Sequence, residues 1–309
     1  MPEGPEVRRC AEQLERFIIN REIVEIRAEA GKLYRELGRS PWRYDHDSFP
    51  ASMPSILFID VKGKVIFMRM TNKLTLISTL GMTGWWYPDV SPTSPEASGQ
   101  AYVDGALVNV KDVLEKSMKH ARLRIIFNEG PAAVFVDQRN FGNIRLESYE
   151  TAAKLEQAIG LDLLYEVCDD EGLAVAVKRL KTKPKKMICD VLLDQTVLSG
   201  LGNIYRAETL YIAKVNPFKK IADIIDDDLE KIVWVAVNVL HIAYKGRGAM
   251  SYPIDFLTDT MDIVSVNLSP DKKATGHLVY GREHDMFGHK TIRDKSAGRT
   301  MWWVPQIQQ

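Results

Sequence analysis

The sequence predicts an α+β multidomain fold: an N-terminal two-layer β-sandwich with a flanking helix, then a helical domain, then a C-terminal β-hairpin. Three observations support this order. Apolar side chains recur at helical spacing over residues 7–18, and Pro5 suits the first turn of that helix. Short runs rich in β-branched and aromatic residues, separated by turn residues, fill residues 22–147. Beyond residue 148 the apolar spacing is helical, and residues 275–309 become strand-like again between glycines.

Each element is predicted from its own pattern. The β-rich region contains six candidate strands: Ile56–Val61, Val65–Met70, Leu74–Leu80, Leu123–Phe127, Ala133–Asp137 and Asn143–Glu147. The helical region contains five candidate helices: Ala152–Ile159, Glu171–Leu180, Lys186–Gln195, Tyr205–Ala213 and Asp227–Lys245. Residues 87–102 are rich in Pro and Ser, which predicts a mobile insertion. We place the domains at 1–148 (β-sandwich), 149–262 (helical) and 263–309 (hairpin).

Composition gives no hint of a partner, because 41 Lys and Arg residues balance 41 Asp and Glu residues over 309 positions. A site for a polyanion therefore has to come from local charge. The charge is uneven along the chain, although a charged run is most often only a solvated face. The basic run contains Lys178, Arg179, Lys181, Lys183, Lys185 and Lys186, and the acidic run contains Asp223, Asp226, Asp227, Asp228 and Glu230.

The cysteine spacing and the start of the chain indicate an intracellular protein that is not secreted. Cys10, Cys168 and Cys189 are too widely spaced for a disulfide framework or a CxxC metal pair, so we expect reduced thiols. The first residues, MPEGPEV, lack the apolar stretch of a signal peptide. The most apolar segment, residues 232–244, is too short to span a bilayer and contains Asn238. We therefore expect no association with a membrane.

The string LLDQTVLSGLGNIYRAE, residues 192–208, predicts two helices joined by a glycine-bearing turn. The first helix ends near Gln195 and the second begins at about Asn203, while Gly200 and Gly202 allow one backbone to approach another closely. Asn203 and the N–H groups around it can face a phosphate. On spacing alone, a plain helical hairpin capped by Asn203 is the simpler interpretation. The string itself, however, closely resembles the helix–two-turn–helix signature of the Fpg/Nei family of DNA glycosylases (formamidopyrimidine-DNA glycosylase and endonuclease VIII).

The resemblance extends to the N-terminus, where that family removes Met and uses the exposed proline amine as a nucleophile. Pro2 matches this proline, Glu3 matches the family's general acid, and Glu6 matches a residue that organises the site. An α-amino group has a pKa of about 7.7–8.0, so a neutral nucleophile is available near pH 7. Attack on the sugar C1′ gives an iminium that permits elimination of the flanking phosphates. Lys64 matches a lysine that contacts the active-site phosphate, with Lys62 as an alternative; without the resemblance, PEGPE is merely a capped helix start.

Two glycine-bearing loops, LGMTG and DQRNFG, resemble those that enter the duplex in the family. Met82, Arg139 and Phe141 match the residues that fill the gap left by a flipped-out nucleotide. Chemistry on a base needs that base to leave the stack, so something must occupy the hole. One position departs from the pattern, because Thr79 stands where bacterial Fpg enzymes typically have His, and the resemblance implies a weaker phosphate contact there.

The C-terminal tail resembles a zinc finger of this family whose ligands have been replaced. The four ligand positions read His284, Phe287, Val304 and Ile307, and one His with three apolar residues cannot hold tetrahedral zinc. His284 with His289 is a conceivable remnant pair, but we expect no metal and no other cofactor. The tail resembles the zincless finger of certain endonuclease VIII-like and Fpg-like enzymes, in which apolar packing replaces the metal. Arg299 then matches the finger arginine that clamps phosphates beside the lesion, and the packing residues would be Met301, Trp302, Trp303, Val304 and Ile307.

The resemblance implies a monomeric bifunctional DNA glycosylase and lyase of base-excision repair, located wherever genomic DNA is held: the nucleus in a eukaryote, the cytoplasm or nucleoid otherwise. Its partner would be damaged double-stranded DNA, with single-stranded or bubble DNA as further candidates. PEGPEV is closer to Nei than the PELPEV usual in Fpg and favours oxidised pyrimidines and hydantoins. The MTG and RNFG loops favour the alternative, an Fpg-like enzyme for 8-oxoguanine and formamidopyrimidines, and residues 251–273 decide neither way. A non-catalytic DNA-binding module and a metal-dependent nuclease are the remaining alternatives, although no metal cluster is visible in the sequence.

Overall fold

The computed structural model describes residues 2–29, 54–91, 93–97, 100–103, 106–246, 250–261 and 273–309. The chain divides into two compact units. The first contains residues 1–2 and 6–157, and the second contains residues 3–5 and 158–309. The predicted boundaries at 148 and 262 stay predictions.

The first unit is built on two four-stranded antiparallel sheets, with strand orders β1-β8-β9-β5 and β10-β4-β3-β2. Its helices are α1 (Gly4–Ile18), α2 (Val110–Met118) and α3 (Tyr149–Gln157), with a short 3₁₀ turn at Pro95–Ala97. Its strands are β1 (Ile23–Ala28), β2 (Ile56–Lys62), β3 (Val65–Met70), β4 (Leu74–Thr79), β5 (Gly84–Pro88), β6 (Gln100–Val103), β7 (Ala106–Asn109), β8 (Ala121–Phe127), β9 (Ala133–Asp137) and β10 (Asn143–Ser148).

The core of the first unit explains why these residues form these elements. Helix α1 buries one apolar stripe that includes Val7 and Leu14, as its helical spacing predicts. Strand β8 alternates buried and partly exposed residues along its length, which is the pattern of a strand with one face on the core. Trp85 and Trp86 are both fully buried, and Trp86 packs against Phe135 with ring centroids 5.2 Å apart. The predicted β-sandwich with a flanking helix is confirmed.

The mobile insertion predicted for residues 87–102 was wrong at its start, and residues 92, 98 and 99 of it lie outside the described residues. Tyr87 is 2% exposed and pairs with Val134 of β9, so this end of the segment is core. The segment also contains the 3₁₀ turn, and Gln100 begins strand β6. The sequence pattern did not reveal β5, because all five of its residues are buried and apolar and polar residues do not alternate along it. The Pro/Ser-rich composition then favoured an insertion.

The second unit packs helices and short strands around helix α6, which is buried along nearly its whole length. Its helices are α4 (Asp170–Lys181), α5 (Ile188–Val191), α6 (Asn203–Ile212), α7 (Asp226–Lys245) and α8 (Ile254–Met261), with a 3₁₀ turn at Ile221–Asp223. Its strands are β11 (Leu161–Asp162), β12 (Leu198–Ser199), β13 (Ser251–Pro253), β14 (Lys273–Thr275), β15 (Ile292–Ser296) and β16 (Arg299–Trp303). The last two form the predicted hairpin. None of the helices in the described ranges is long and apolar enough to cross a bilayer.

The helix predicted over Lys186–Gln195 is only the four-residue α5, so that prediction was wrong in length. The side chain of Asp194 accepts hydrogen bonds from the backbone N–H (3.0 Å) and the hydroxyl (2.6 Å) of Thr196. Such local side-chain bonds give the backbone an alternative to the helix. The chain therefore leaves the helix early and turns towards β12.

Candidate active site

The N-terminal residues of the second unit are held by the turn that precedes α6. The Glu3 side chain is fully buried, and both carboxylate oxygens accept hydrogen bonds from backbone N–H groups. Oε2 accepts from Gly202 (2.6 Å) and Tyr205 (3.3 Å), and Oε1 accepts from Ile204 (2.9 Å). N–H groups at a helix start have no partner within the helix, and the helix dipole favours negative charge there. Glu3 therefore caps α6 across 199 residues of sequence.

Glycines make this close approach possible. The N–H of Gly4 donates to the carbonyl of Gly200 (2.8 Å), and a Cβ on Gly4 would lie 3.0 Å from the Gly200 Cα. A Cβ on Gly202 would lie 2.3 Å from the Glu3 Cδ. Because Gly202 has φ −124°, which any residue adopts, only the carboxylate excludes a side chain there. Pro2 is bonded to Glu3, so fixing Glu3 and Gly4 also restricts where the Pro2 nitrogen can lie.

One glutamine side chain holds the turn itself. The Gln195 amide donates to the carbonyl of Leu201 (3.0 Å) and accepts from the N–H of Gly200 (3.1 Å). Its backbone carbonyl accepts from the N–H of Gly160 (2.7 Å). Gly200 has φ +101°, a left-handed conformation that favours glycine. The amide thus bridges the turn and keeps the N–H groups around residue 202 in place.

A buried arginine fixes the amide of Asn203. The Arg206 guanidinium donates to the Asn203 Oδ1 (2.7 Å), to the Cys189 carbonyl (2.9 Å) and to the Ser296 hydroxyl (3.2 Å). With its oxygen engaged in this way, the Asn203 amide directs Nδ2 to the carbonyl of Thr300 (3.0 Å). Helix α6 and the C-terminal hairpin are therefore joined through one amide and one guanidinium.

Burial lowers the pKa of the Arg206 guanidinium. The carboxylates of Asp190 and Glu3 oppose this effect, whereas the charge of Arg299 adds to it. Burial also raises the pKa of the Cys189 thiol, which keeps it protonated near neutral pH. Arg299 itself is exposed at the start of β16, directly before the residue that Asn203 binds.

Two loops of the first unit meet backbone to backbone and present an aromatic ring. A Cβ on Gly81 would lie 2.6 Å from both the Gly142 nitrogen and the Phe141 carbonyl carbon. Phe141 is 57% exposed, and the Arg139 guanidinium lies 5.1 Å from its ring centroid. Met82 on the other loop is partly buried. The structure thus brings the predicted gap-filling Arg139 and Phe141 into contact and sets Met82 on the adjoining loop.

The buried carboxylate of Asp137 organises these loops. It accepts from the Thr83 hydroxyl (2.5 Å) and from the N–H of Gly142 (2.7 Å), and the Thr83 oxygen in turn accepts from the N–H of Arg139 (3.0 Å). The hydroxyl of Thr79 accepts from the N–H of Asn143 (3.2 Å). Thr79 therefore links the ends of β4 and β10.

The remaining predicted residues of the first unit lie at its N-terminus and in one hairpin. Pro2 and Glu6 are buried. Lys62 pairs with Val65 at the ends of β2 and β3, so Lys64 lies in the two-residue turn between these strands. Both lysines are partly buried.

The C-terminal turn is held by apolar packing and by one carboxylate. Val304 is fully buried, and Phe287 and Ile307 pack against the same core. Asp285 accepts from the backbone N–H (2.8 Å) and shares a hydrogen bond with the ring Nδ1 (2.9 Å) of His289; it also accepts from the Tyr211 hydroxyl (2.6 Å). His284 forms an isolated backbone bridge with Lys290. In the described part of the chain, no group of three or more His, Cys, Asp or Glu side chains could hold a metal ion.

Sequence reasoning missed four residues of this site: Gln195, Asp137, Arg206 and Glu208. Glu208 is fully buried and accepts from the Tyr252 hydroxyl (2.8 Å) and from three consecutive N–H groups at 278–280. For Arg206 and Glu208 the sequence did contain a signal. Both are charged residues within the otherwise apolar repeat of α6, and buried charges require specific partners.

Comparisons with known proteins give a family match in each of the two units. Residues 1–144 match the family model of the formamidopyrimidine-DNA glycosylase N-terminal domain, and residues 159–253 match that of its H2TH domain. The formamidopyrimidine-DNA glycosylase of Ligilactobacillus salivarius is 30% identical over 221 residues, covering 70% of this chain and 68% of that protein. The same-named protein of an Exiguobacterium strain is 27% identical over 319 residues, covering 100% of both.

A crystal structure of Lactococcus lactis Fpg in complex with DNA that contains an oxidised pyrimidine has the same fold. It covers 100% of both chains, with a TM-score of 0.69 and 24% sequence identity. Fold, helix–two-turn–helix geometry and sequence matches lead to one conclusion. The chain belongs to the formamidopyrimidine-DNA glycosylase (Fpg/Nei) family of DNA repair glycosylases.

Proposed function

We propose that this protein excises oxidised bases from damaged double-stranded DNA and then cleaves the strand, as a DNA glycosylase with apurinic/apyrimidinic lyase activity. The main observation behind the proposal is that Glu3 and Gly4 are hydrogen-bonded to the turn before α6. It ties the residue next to Pro2 to the element that resembles the family's DNA-binding signature. A fixed nucleophile is what a covalent mechanism requires, because a displacement of about 1 Å can cost about 10²-fold in rate.

The proposed chemistry begins at the amine of Pro2 after removal of Met1. The nitrogen lone pair attacks C1′ of the everted nucleotide, and the bond from C1′ to the base breaks, so that the base leaves with a proton. The Glu3 carboxylate takes up the amine proton and passes it to the sugar ring oxygen O4′ as the C1′–O4′ bond breaks. The opened sugar is left as an iminium, which acidifies C2′–H. Removal of that proton expels the 3′ phosphate, and a second elimination expels the 5′ phosphate. Water then releases the sugar fragment from the enzyme.

Three other residues support this chemistry in the proposal. Glu3 takes up the amine proton and then acts as the proton donor to the sugar ring oxygen; through its bonds to the turn it also positions Pro2. Glu6, buried one turn further along α1, helps to organise the site. Lys64 in the β2–β3 turn contacts the phosphate of the reacting nucleotide, with Lys62 as the alternative for this role.

Eversion of the damaged nucleotide is assigned to the first unit. Phe141 enters the gap, because it is a large apolar side chain that is 57% exposed. Arg139, stacked on that ring, donates hydrogen bonds to the unpaired opposite base, and Met82 fills the remaining space. The bonds of Asp137 hold both loops in the shape that this task needs.

Phosphate contacts are assigned to four residues. The Asn203 amide has two N–H bonds, and one donates to Thr300, so the other can donate to a phosphate. Gly202 allows the backbone to approach, and Thr79 can donate its hydroxyl hydrogen while its oxygen accepts from β10. Arg299 binds a phosphate through the two-pronged geometry of its guanidinium.

The lesion class follows from residues 2–7, which favour oxidised pyrimidines and hydantoins over oxidised purines. Packing against Gly200 also accounts for the glycine at position 4, so the substrates need a direct comparison. Single-turnover excision should be fastest on duplexes with thymine glycol or spiroiminodihydantoin. Preferred excision of 8-oxoguanine opposite cytosine would support the Fpg-like alternative instead.

Reductive trapping on abasic duplex DNA tests the activity. The mature protein should form a covalent product with borohydride, whereas Pro2→Gly and a form that retains Met1 should form none and still bind DNA. Pro131→Gly, at a partly exposed position in the loop between β8 and β9, is the matched control and should trap normally. Absence of a product with the intact protein, together with normal DNA binding, would mean a binding module only.

A further inference from the structure

Four lysines form a cluster on the second unit that the proposed chemistry does not use. Lys185 and Lys186 precede α5, Lys219 and Lys220 follow α6, and all four side chains are exposed. The two segments run side by side, because Met187 and Lys220 pair in an antiparallel bridge. We call these four residues the lysine patch. Its side chains come from chain segments more than 30 residues apart, so the fold and not one charged run creates it.

In the part of the chain that the structure describes, the lysine patch has no ion-pair partner. Within the described ranges, no carboxylate lies within 4.0 Å of any of the four amino groups. In contrast, Lys181 in the same basic run pairs with Asp226 at 2.5 Å. Lysines held close together repel each other, and an anionic partner removes that cost.

The potential of this region reaches the turn of the helix–two-turn–helix. The pKa of Asp194 is lowered first by the hydrogen bond from the Thr196 side chain and further by the charges of Lys183 and Lys186. Asp194 directly precedes the glutamine that bridges the turn. The charge of Lys186 thus acts on a residue beside the turn that precedes Asn203, a proposed phosphate contact.

The path from the patch to Asn203 is short. Lys186 lies three residues before Cys189, so their Cα atoms are at most about 11 Å apart. The Cys189 carbonyl accepts from Arg206, which in turn donates to Asn203. Successive phosphates of a DNA strand rise by about 3.4 Å. A strand bound at Asn203 therefore has further phosphates within reach of the patch.

We propose that the lysine patch is a second phosphate-binding surface, which contacts the sugar–phosphate backbone of duplex DNA outside the damaged nucleotide. The inference rests on the proposed function and adds a contact that none of its assigned residues makes. Lysine suits this task because its ammonium is a compact point charge that binds phosphate without reading sequence. The patch also supplies local positive charge to a chain whose net charge is zero.

The test measures binding of undamaged duplex DNA by fluorescence anisotropy between roughly 50 and 200 mM salt. The variant is Lys185→Gln with Lys219→Gln, and the matched control is Lys111→Gln with Lys154→Gln, which removes the same charge from exposed helical positions of the first unit. Each lost phosphate contact lowers the slope of log K against log salt by about 0.9. The patch variant should therefore bind more weakly with a slope shallower by about 1–2, and the control should match the wild type.

An unchanged slope in the patch variant, or an equal change in the control, would overturn the proposal. Thermal unfolding of both variants shows that they fold, since exposed lysines contribute little to stability. Borohydride trapping at saturating DNA separates this inference from the proposed function. Normal trapping with an unchanged slope rejects the patch alone, whereas a changed slope without any trapping in the wild type supports the patch and rejects the glycosylase proposal.

Discussion

Replacing Gly202 with alanine should displace Glu3 and slow the covalent step. The added Cβ would lie 2.3 Å from the Glu3 Cδ and 2.4 Å from its Oε1, whereas ordinary contacts begin at 3.4 Å. The carboxylate must therefore move by about 1 Å, and the 2.6 Å bond to Gly202 and the 2.9 Å bond to Ile204 cannot both persist. The backbone adds no strain, because φ −124° and ψ −157° suit alanine.

Two quantities follow from this displacement. Each hydrogen bond to a charged group contributes about 1.5–3 kcal/mol, so the free energy of unfolding should fall by at least that amount. A nucleophile misplaced by about 1 Å reacts about 10²-fold more slowly, so trapping of abasic DNA should slow by about that factor. Urea unfolding measures the first quantity, and single-turnover borohydride trapping with saturating enzyme measures the second.

Gly281→Ala is the matched control for Gly202→Ala. Its Cβ would meet no atom within 4 Å, and only its φ of +77° opposes the change, at a cost of roughly 1–2 kcal/mol. It should therefore lose stability without losing trapping rate. If Gly202→Ala trapped abasic DNA at the wild-type rate, the hydrogen bonds of Glu3 to the turn would not be what positions the terminal proline.

Three further predictions concern other parts of the chain. Phe141→Ala should change the free energy of unfolding by no more than about 0.5 kcal/mol, because the ring is 57% exposed. It should slow excision from duplex DNA at least fivefold, since base–aromatic stacking contributes about 1–3 kcal/mol. Equal excision rates would reject the role of Phe141 in the gap. Burial lowers the pKa of His241 below its unfolded value, so the folded protein binds fewer protons and loses stability as pH falls from above about 6.5 through the folded pKa. Between pH 7.5 and 5.5, the free energy of unfolding measured in urea should fall less in His241→Gln than in the wild type. An identical fall in both proteins would contradict the predicted sign. Burial raises the pKa of Cys10 to about 12 and also raises that of Cys189. Iodoacetamide at pH 8 should therefore label only the exposed Cys168 in the native protein. Labelling of either of the other two thiols would contradict their burial.

Local periodicity predicted most of the fold because amphipathic elements show their buried face in the sequence. Helix α1 and strand β8 are examples, since each has one face on the core. Strand β5 escaped prediction because it is buried on both faces and ends in Pro88. Helix α5 was overestimated because the competing bonds of Asp194 depend on the geometry of a turn.

The site also has a part that the sequence predicted and a part that only the structure shows. Resemblance to a family supplied its chemical residues, but the partners of Glu3 are backbone N–H groups, which carry no sequence signal. The orientation of the Asn203 amide likewise depends on Arg206, whose role only the structure reveals. Contacts between segments far apart in sequence arise from the fold, so local pattern cannot predict them.

The central claim is that the nitrogen of Pro2 bonds to the deoxyribose of the damaged nucleotide. Peptide mass spectrometry of the mature protein, reduced with borohydride on lesion-containing duplex, locates that bond directly. The account predicts the added sugar mass on the N-terminal peptide, at Pro2. A crosslink at Lys64 or any other lysine, or the absence of one, would contradict it.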